Sequence, residues 1–581
     1  MNARPRPAGA RGRWAWAAGT AAAAAVLMFC YLRIAGATQV NSDGAGLVLE
    51  ARSVLHGNVL LHGWWASDVT FYTTEMPEYV AVTGLAGLRP EVVHICSALT
   101  YTLLVLLAAF VARGRARGAA GVVRALLAAA VILAPQPTGP TQVLLGSPDH
   151  VGSAVPVLVL LVLLDWARPR WWVPVVAGAL LAWSIVGDPL IEVVGAAPLG
   201  LACLIRAIRL ARPGRGAGPA AGGGTREPWW RPRAWSAARY ELALAAAAVA
   251  SVPAAKAANR LLVAWGGIRT AAPSYHLLPQ QNQTLHAGWL SVRCLLALFG
   301  ADFVPGDFVG GTTAAGVAFA VAHLLGVAVV ATAVVLAAWR LVRPRLTTPG
   351  RAAAPGPESD LVADILVLAM VVNFAAFVIE VPIENIYSAH EIGPLLGLGA
   401  ALAGRMLGDP VVAGWRAGRR SWRRVLATGL AAGMASYAVL LGIAAAHPQL
   451  PPRNVKLTAW LARHHLRDGL APYWEAASVT VDSGGADQVL ALAKAGGHVV
   501  AGKWQSDTLL ATAKTADARF VILSSAEDIG EPAVIRTFGQ PAASYRYAQF
   551  TILVWPRNLL PELTRPAAAR SRHEAARTAS R

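Results

Sequence analysis

Long apolar segments alternate with short polar ones over most of the chain. Eleven of the apolar segments come close to the roughly 20 residues that a helix needs to cross a bilayer. They lie at residues 14–34, 91–112, 120–135, 151–167, 171–187, 190–209, 240–264, 312–342, 361–381, 392–408 and 425–446. The pattern predicts an α-helical polytopic membrane protein with about eleven transmembrane helices, which form a membrane domain at residues 14–446.

The pattern changes after Ala446. A helix is predicted for WLARHHLRDGLAPYW, and strands are predicted for the β-branched and aromatic runs VTVDS, HVVAGKW, FVILSS and YAQFTILVW. These short elements predict a small α/β domain at residues 447–561. The remaining residues, 562–581, are rich in Ala and Arg and are predicted to be a disordered basic tail.

Composition and charge support a membrane protein and set its orientation. Only 14% of the residues are charged, against about 25% in soluble domains. The net charge of +19 comes from basic residues clustered in short runs between apolar segments, which the positive-inside rule places on the cytoplasmic side. We therefore expect a multi-pass protein of the cell membrane and no nucleic-acid partner. The basic N-terminus, 1–13, is expected to be cytoplasmic and the C-terminal domain extracytoplasmic.

Cleavage of the first helix remains an alternative at this stage, because Ala35 and Ala37 form a small-residue site of the kind that follows signal peptides. Against cleavage, the apolar run is longer than the roughly 7 to 15 residues of a signal core.

The four cysteines, Cys30, Cys96, Cys203 and Cys294, lie singly in or beside apolar segments. Their spacing predicts no disulfide and no metal site.

The first outer loop, residues 36–90, is more polar and more acidic than a connector needs. Asp43 lies just after the first helix, between Ser42 and Gly44. Two interpretations stay open: Asp43 is a catalytic base, or it caps a helix that begins near Ala45. The following run, GLVLEARSVLHGNVLLHGWW, predicts an amphipathic helix lying along the membrane surface.

Other polar residues near the outer helix ends are candidates for substrate binding. They are Arg52, His56, Asp149, His150, Asp188, Lys256, Arg260, Glu384, Tyr387 and His390. Each has a structural alternative. Asp149 and His150 are equally typical of a helix start, and Asp188 of a tight Asp-Pro turn. Lys256 and Arg260 share one helix face and either form a cationic clamp or extend to lipid headgroups.

The acidic motif NSDGAG after the first helix, the surface helix and the outward domain together resemble the GT-C-type membrane glycosyltransferases. Within them the chain looks most like bacterial relatives of protein mannosyltransferases and of lipid A aminoarabinose transferases. The resemblance covers about residues 14–446 in architecture, and its sharp motif is the loop around Asp43. A lone acid stands in SDG where some branches carry an acidic pair or a DxD-like motif, so no metal cofactor is expected.

The resemblance implies an inverting hexosyl- or pentosyltransferase whose donor is a polyprenyl-phosphate-linked sugar. Its acceptor is a hydroxyl of an envelope glycan or protein, with Asp43 as general base, and its other partner is membrane lipid. Two alternatives remain. A transporter or flippase of an envelope lipid predicts paired broken helices and ionisable residues at the bilayer midplane. A non-catalytic envelope assembly protein predicts that Asp43 is dispensable.

Overall fold

The computed structural model describes residues 10–136, 143–147, 149–211, 238–271, 281–302, 314–343, 360–380, 383, 385–417, 420–509, 516–524 and 529–564. Fourteen α-helices lie in the described part of the membrane domain. They are α1 (Ala10–Ala35), α2 (Ser42–Leu55), α3 (Met76–Ala86), α4 (Glu91–Arg113), α5 (Gly118–Ile132), α6 (Ala154–Trp166), α7 (Trp172–Gly187), α8 (Ala197–Ala211), α9 (Arg239–Ala264), α10 (Gln281–Leu298), α11 (Ala314–Val342), α12 (Leu361–Glu380), α13 (Pro394–Ala417) and α14 (Arg420–Ala445).

Eight helical spans in the described ranges are long and apolar enough to cross a membrane. They correspond to α1, α4, α8 with the π-helical turn before it, α9, α11, α12, α13 and α14. The predicted spans 120–135, 151–167 and 171–187 also form helices, but α5, α6 and α7 have only 15, 13 and 16 residues. The prediction of a polytopic helical membrane protein is confirmed, whereas length supports eight of the eleven predicted spans.

Helix α13 is the most buried of the long helices and packs tightly against α5. Small residues allow this approach, since a Cβ added at Gly404 would lie 2.2 Å from the carbonyl oxygen of Arg124. A Cβ at Gly408, four residues later, would lie 2.3 Å from the Arg124 side chain. Closely spaced glycines are typical of packed membrane helices, where dispersion contacts replace the hydrophobic effect.

The C-terminal part is a mixed α/β domain, as predicted. Its helices are α15 (Val455–Arg463), α16 (Tyr473–Asp482), α17 (Glu531–Phe538) and α18 (Leu560–Thr564). The strands of the chain are β1 (Trp64–Ala66), β2 (Arg269–Thr270), β3 (Asp468–Pro472), β4 (Gln488–Ala495), β5 (His498–Ala501), β6 (Ser506–Asp507), β7 (Phe520–Ser524), β8 (Ala543–Tyr547) and β9 (Phe550–Val554).

Six of these strands form one sheet in the order β5-β4-β3-β7-β9-β8, with β3 parallel to both of its neighbours. Apolar side chains cover both faces of this sheet. A second, three-stranded sheet has the order β2-β1-β6. It joins the first outer loop, the segment after α9 and the C-terminal domain, so it ties that domain to one end of the helical bundle, called the domain end below.

Two local predictions in the C-terminal domain are wrong. The segment DGLAP, predicted as helix, is the central strand β3, and VTVD, predicted as strand, ends helix α16. Val479 and Val481 are fully buried, so tertiary packing outweighs the weak helix propensity of β-branched residues. Strand β4 was not predicted, because its sequence QVLALAKA favours helix. Helix α18 includes the first three residues of the predicted tail, and 565–581 lie outside the described residues.

Candidate active site

Helix α2 begins one turn earlier than the sequence indicated, and its N-cap is Asn41. The Asn41 Oδ1 atom accepts a hydrogen bond from the Gly44 amide at 3.0 Å. Asp43 therefore lies in the first helical turn and does not cap the helix. Its own Oδ2 atom accepts a hydrogen bond from Asn41 Nδ2 at 3.0 Å. The capping interpretation of Asp43 is wrong, and its carboxylate is available for other contacts.

The second partner of Asp43 comes from the C-terminal domain. The Tyr473 hydroxyl donates to Asp43 Oδ1 and also contacts the side-chain amide of Gln505. Tyr473 is the first residue of α16 and directly follows strand β3. Gly46 gives Gln505 room, because a Cβ there would lie 2.9 Å from Gln505 Oε1. The carboxylate of Asp43 is thus held between the first outer loop and the C-terminal domain.

This packing also shows that α2 does not lie free on a membrane surface. The helix packs between α3 and α16. Glu50 in this helix is fully buried. Protein covers the apolar side of α2, so Asp43 lies on a packed helix.

The surroundings of Asp43 make its carboxyl group unusually basic. Burial raises the pKa of Asp43 to about 7, and the negative charges of Asp149 and Asp68 add to the rise. The hydrogen bond from Tyr473 and the charge of His390 act in the opposite direction. Asp43 remains partly exposed. It is therefore a reachable carboxyl group that changes its protonation near neutral pH.

Three of the predicted polar clusters converge at the domain end. His150 lies in the 3-10 turn His150–Ser153 before α6, and Asp188 directly follows α7. The His150 Nδ1 atom is 2.8 Å from Asp188 Oδ2, which also accepts a hydrogen bond from Ser153. Asp188 Oδ1 accepts from the Leu190 amide at 2.9 Å, which supports the predicted turn role as well.

His390 and Glu391 complete this cluster from the 3-10 turn Ile386–Ile392 before α13. Glu391 lies between the two histidines, with Oε2 3.4 Å from His150 Nε2 and Oε1 3.2 Å from His390 Nε2. The imidazole rings are stacked, with centroids 5.9 Å apart and planes 9° apart. The charges of His150 and Glu391 both influence the pKa of Asp68, so the cluster and the Asp43 region form one electrostatic site.

Some of the predicted substrate-binding residues lie away from Asp43 and from the histidine cluster. Lys256 has a side chain that is 61% exposed, and its Nζ is 3.6 Å from Glu192 Oε1. Arg260 is also exposed on the same helix. Among the contacts described for this part of the chain, neither residue reaches Asp43, and their exposure fits the interpretation that both extend toward lipid headgroups.

Arg52 and His56 lie near the C-terminal end of α2, about 14 Å or more along the helix axis from Asp43. They line a separate cavity of about 280 Å³ between α2 and the C-terminal sheet.

Tyr387 is 45% exposed, and its backbone carbonyl accepts a hydrogen bond from His390 Nδ1. Glu384 lies outside the described residues.

Sequence reasoning missed several residues that contact the site. Asn41 and Tyr473 hold Asp43, and Gln505 contacts Tyr473. Tyr473 follows the carboxyl end of a parallel strand, which is where ligand sites form in α/β sheets. That signal was hidden because β3 was predicted to be helical.

Two further cations lie beside Trp65: Lys503 was not predicted from the sequence, whereas Arg269 was a further sequence candidate for the cationic clamp. The guanidinium of Arg269 lies 5.9 Å from the Trp65 ring centroid, and Lys503 Nζ lies 5.1 Å from it. Trp65 pairs with Arg269 of β2 and with Ser506 of β6 in the small sheet. Since Ser506 directly follows Gln505, this cationic pair belongs to the same end of the molecule as Asp43.

Solved structures similar to the chain include two of the same protein. ArnT from Cupriavidus metallidurans bound to undecaprenyl phosphate matches with 13% identity and a TM-score of 0.47, over 93% of this chain and 98% of that one. ArnT from the same organism in the apo state matches with 13% identity and a TM-score of 0.40, over 96% and 100%. No protein-family model and no curated protein sequence matches the chain.

Proposed function

We propose that this protein is an inverting membrane glycosyltransferase that moves a sugar from a polyprenyl-phosphate donor to a hydroxyl of an envelope acceptor. Asp43 is the general base in this proposal. The observation that carries it is the carboxyl group of Asp43, which is partly exposed, held by Asn41 and Tyr473, and has a pKa raised to about 7.

The raised pKa suits the chemistry. A sugar or side-chain hydroxyl is a weak nucleophile, and a base works best when its pKa is near the working pH. In the proposed step the acceptor oxygen attacks the anomeric carbon while its proton passes to Asp43. The bond from that carbon to the donor phosphate breaks, and its electron pair leaves with the phosphate. No redox or group-carrying cofactor is needed, because the donor is already an activated sugar.

The leaving phosphate gathers negative charge and requires cations nearby. Arg269 and Lys503 flank Trp65 at the domain end and are exposed. We assign the phosphate clamp to these two residues in place of Lys256 and Arg260. Charge-assisted hydrogen bonds to phosphate are about twice as strong as neutral ones, so both side chains would bind the departing group effectively.

The domain end is proposed to be extracytoplasmic. Arginines gather at the opposite end of the bundle, where Arg113, Arg115 and Arg117 connect α4 and α5, and the positive-inside rule assigns such runs to the cytoplasm. With this orientation the N-terminus is cytoplasmic and the C-terminal domain lies outside, where envelope acceptors are found. The donor's lipid tail would remain in the membrane.

The test uses the full-length protein purified in detergent, labelled polyprenyl-phosphate sugars and envelope acceptors. We expect the wild type to form a glycosidic product and Asp43→Asn to lose about 10²- to 10⁴-fold in rate. Glu531→Gln, an exposed acid at the start of α17, is the matched control and should keep full activity. Equal transfer by wild type and Asp43→Asn would remove Asp43 from the mechanism. Movement of intact lipid-linked sugar across proteoliposomes without product would instead favour a flippase.

A further inference from the structure

The geometry points to a divalent metal site formed by His150, His390 and Glu391, with Zn²⁺ as the preferred ion. One ligand atom from each residue lies within 4.8 Å of the others. The residues come from two short 3-10 turns that the fold brings together at the domain end. Separations along the chain do not indicate this site, which is why the sequence predicted no metal.

The hydrogen bonds of both histidines engage Nδ1 and leave Nε2 as the nitrogen that can bind a metal. His150 Nδ1 faces the Asp188 carboxylate at 2.8 Å, and His390 Nδ1 faces the Tyr387 carbonyl oxygen at 2.7 Å. Carboxylate and carbonyl oxygens accept hydrogen bonds here, so each Nδ1 carries the proton. Zn²⁺ must displace the proton from each Nε2 before its lone pair can bind the ion, so metal binding competes with protonation of the two imidazoles. A hydrogen bond from the other ring nitrogen to an oxygen acceptor is typical of metal-binding histidines.

The distances to Glu391 favour co-ligands over simple ion pairs. The two Nε2 atoms are 3.4 and 3.2 Å from the Glu391 oxygens. A charge-assisted N–H···O bond is shorter, at about 2.7–2.9 Å. Two ligands about 2.05 Å from a tetrahedral zinc ion are about 3.3 Å apart, which is close to each separation taken alone. Because the two separations involve different Glu391 oxygens, one oxygen would have to move toward the second imidazole when the ion binds. The stacked imidazoles also point their Nε2 atoms toward the same carboxylate.

Two histidines and one glutamate make a site with an open position. Three protein ligands with a fourth place for water or substrate are typical of catalytic zinc, whereas structural zinc usually has four protein ligands. Imidazole favours zinc over magnesium or calcium. Entry is possible from the His390 side, where the side chain is 35% exposed, compared with 8% for His150.

The test measures metal binding directly, with no sugar donor present. Full-length protein in detergent is stripped with a chelator, dialysed against Zn²⁺ and assayed for bound zinc per chain. We expect about one tight site in the wild type. His390→Gln and Glu391→Gln should each weaken binding at least about tenfold. Asp188→Asn, which removes the support of His150, should weaken it about 10- to 100-fold. His447→Gln, just after the end of α14, is the control and should bind as the wild type does.

Thermal unfolding provides a second readout that detects misfolded variants. Zn²⁺ should raise the unfolding temperature of the wild type and of His447→Gln, but not that of His390→Gln, while all three unfold alike in chelator. Absorption spectroscopy at the zinc edge should report two imidazole ligands. Lack of zinc binding by the wild type, or equal binding by wild type and both ligand variants, would overturn the site. Because no transfer is assayed, this outcome is independent of the proposed activity.

Discussion

The hydroxyl of Tyr473 donates a hydrogen bond to the carboxylate of Asp43, although the two residues are 430 positions apart in the chain. Asp43 lies in the first turn of α2, and Tyr473 begins the helix that follows the central strand of the C-terminal sheet. The C-terminal domain therefore contributes directly to the position and protonation of the proposed base. Its folding and the activity of the membrane domain should be coupled.

The first prediction concerns the pH dependence of the wild type. Asp43 must be ionised to accept a proton, and its pKa is raised to about 7 by burial and by Asp149 and Asp68, against Tyr473 and His390. We expect kcat to rise with pH along a limb centred near 7, whereas an ordinary aspartate would be ionised above about pH 4. Initial rates from pH 5 to 9 measure this limb. A flat profile over that range would contradict the assignment.

The second prediction isolates the contribution of Tyr473. Tyr473→Phe keeps the ring but removes the hydrogen bond that lowers the pKa of Asp43. The acid limb of kcat should move to higher pH, and activity at pH 7 should fall several-fold, with little effect at pH 9. Tyr545→Phe, a half-exposed tyrosine in β8, should leave the limb unchanged. An unmoved limb in Tyr473→Phe would mean that the hydrogen bond does not control the base.

The third prediction separates the two roles of Asn41, which caps α2 and donates to Asp43. Asn41→Ala removes both, so it should cost about 0.5–2 kcal/mol of stability together with activity. Asn41→Asp keeps a good cap but places a second negative charge beside Asp43. Its stability should stay near that of the wild type, while the acid limb moves to higher pH because a like charge disfavours ionisation. Unfolding temperatures and pH–rate profiles of the two variants distinguish the roles.

At the helix ends, the sequence indicated several site residues but not their contacts. Asp149, His150, Asp188 and His390 were predicted because they are polar residues that interrupt apolar segments at one end of the bundle, and three of these segments converge. The partners of His150 could not be assigned from sequence, since its contacts with Asp188 and Glu391 join loops separated by two or more helices. Lys256 was predicted to bind substrate because it lies within a membrane helix. Whether its side chain faces the protein or the lipid depends on which face of α9 is buried, and the sequence did not show this.

In the C-terminal domain, the fold class could be predicted from the sequence, but the position of the site residue could not. Its α/β class was predictable from short β-branched runs such as FVILS, which is strand β7. The position of Tyr473 was not, because DGLAP contains turn-forming and helix-neutral residues and becomes a strand only through pairing with β4 and β7. The proposed base was found from its place in the chain, whereas its hydrogen-bond donor required the fold.

The fourth prediction tests the proposed phosphate clamp. Lys503→Ala and Arg269→Ala each remove one cation beside Trp65. Each should weaken donor binding or transfer about 10- to 100-fold, as expected for a lost charge-assisted hydrogen bond of about 1.5–3 kcal/mol. Lys494→Ala, an exposed lysine in β4, controls for general loss of positive charge. If both variants match that control in kcat/KM for the donor, the clamp lies elsewhere.

The fifth prediction concerns Glu50, which is fully buried in α2. Among the residues that the structure describes, neither carboxyl oxygen of Glu50 has a hydrogen-bond partner. Burial raises its pKa well above the ordinary value. The folded state therefore keeps a proton that the unfolded chain releases above about pH 4.3, so wild-type stability falls as pH rises beyond that value.

Glu50→Met should accordingly stabilise the protein by about 1–3 kcal/mol, because an unpaired buried polar group is replaced by an apolar one of similar length. The gain should be larger at pH 8 than at pH 5, and unfolding in detergent at the two values measures it. Glu531→Met, an exposed site, should show no such pH-dependent gain. A destabilised Glu50→Met would contradict the account of an unpaired acid. A stabilised but inactive variant would instead assign Glu50 a role in the site, because Glu50 lies close enough to Tyr473 to influence its pKa.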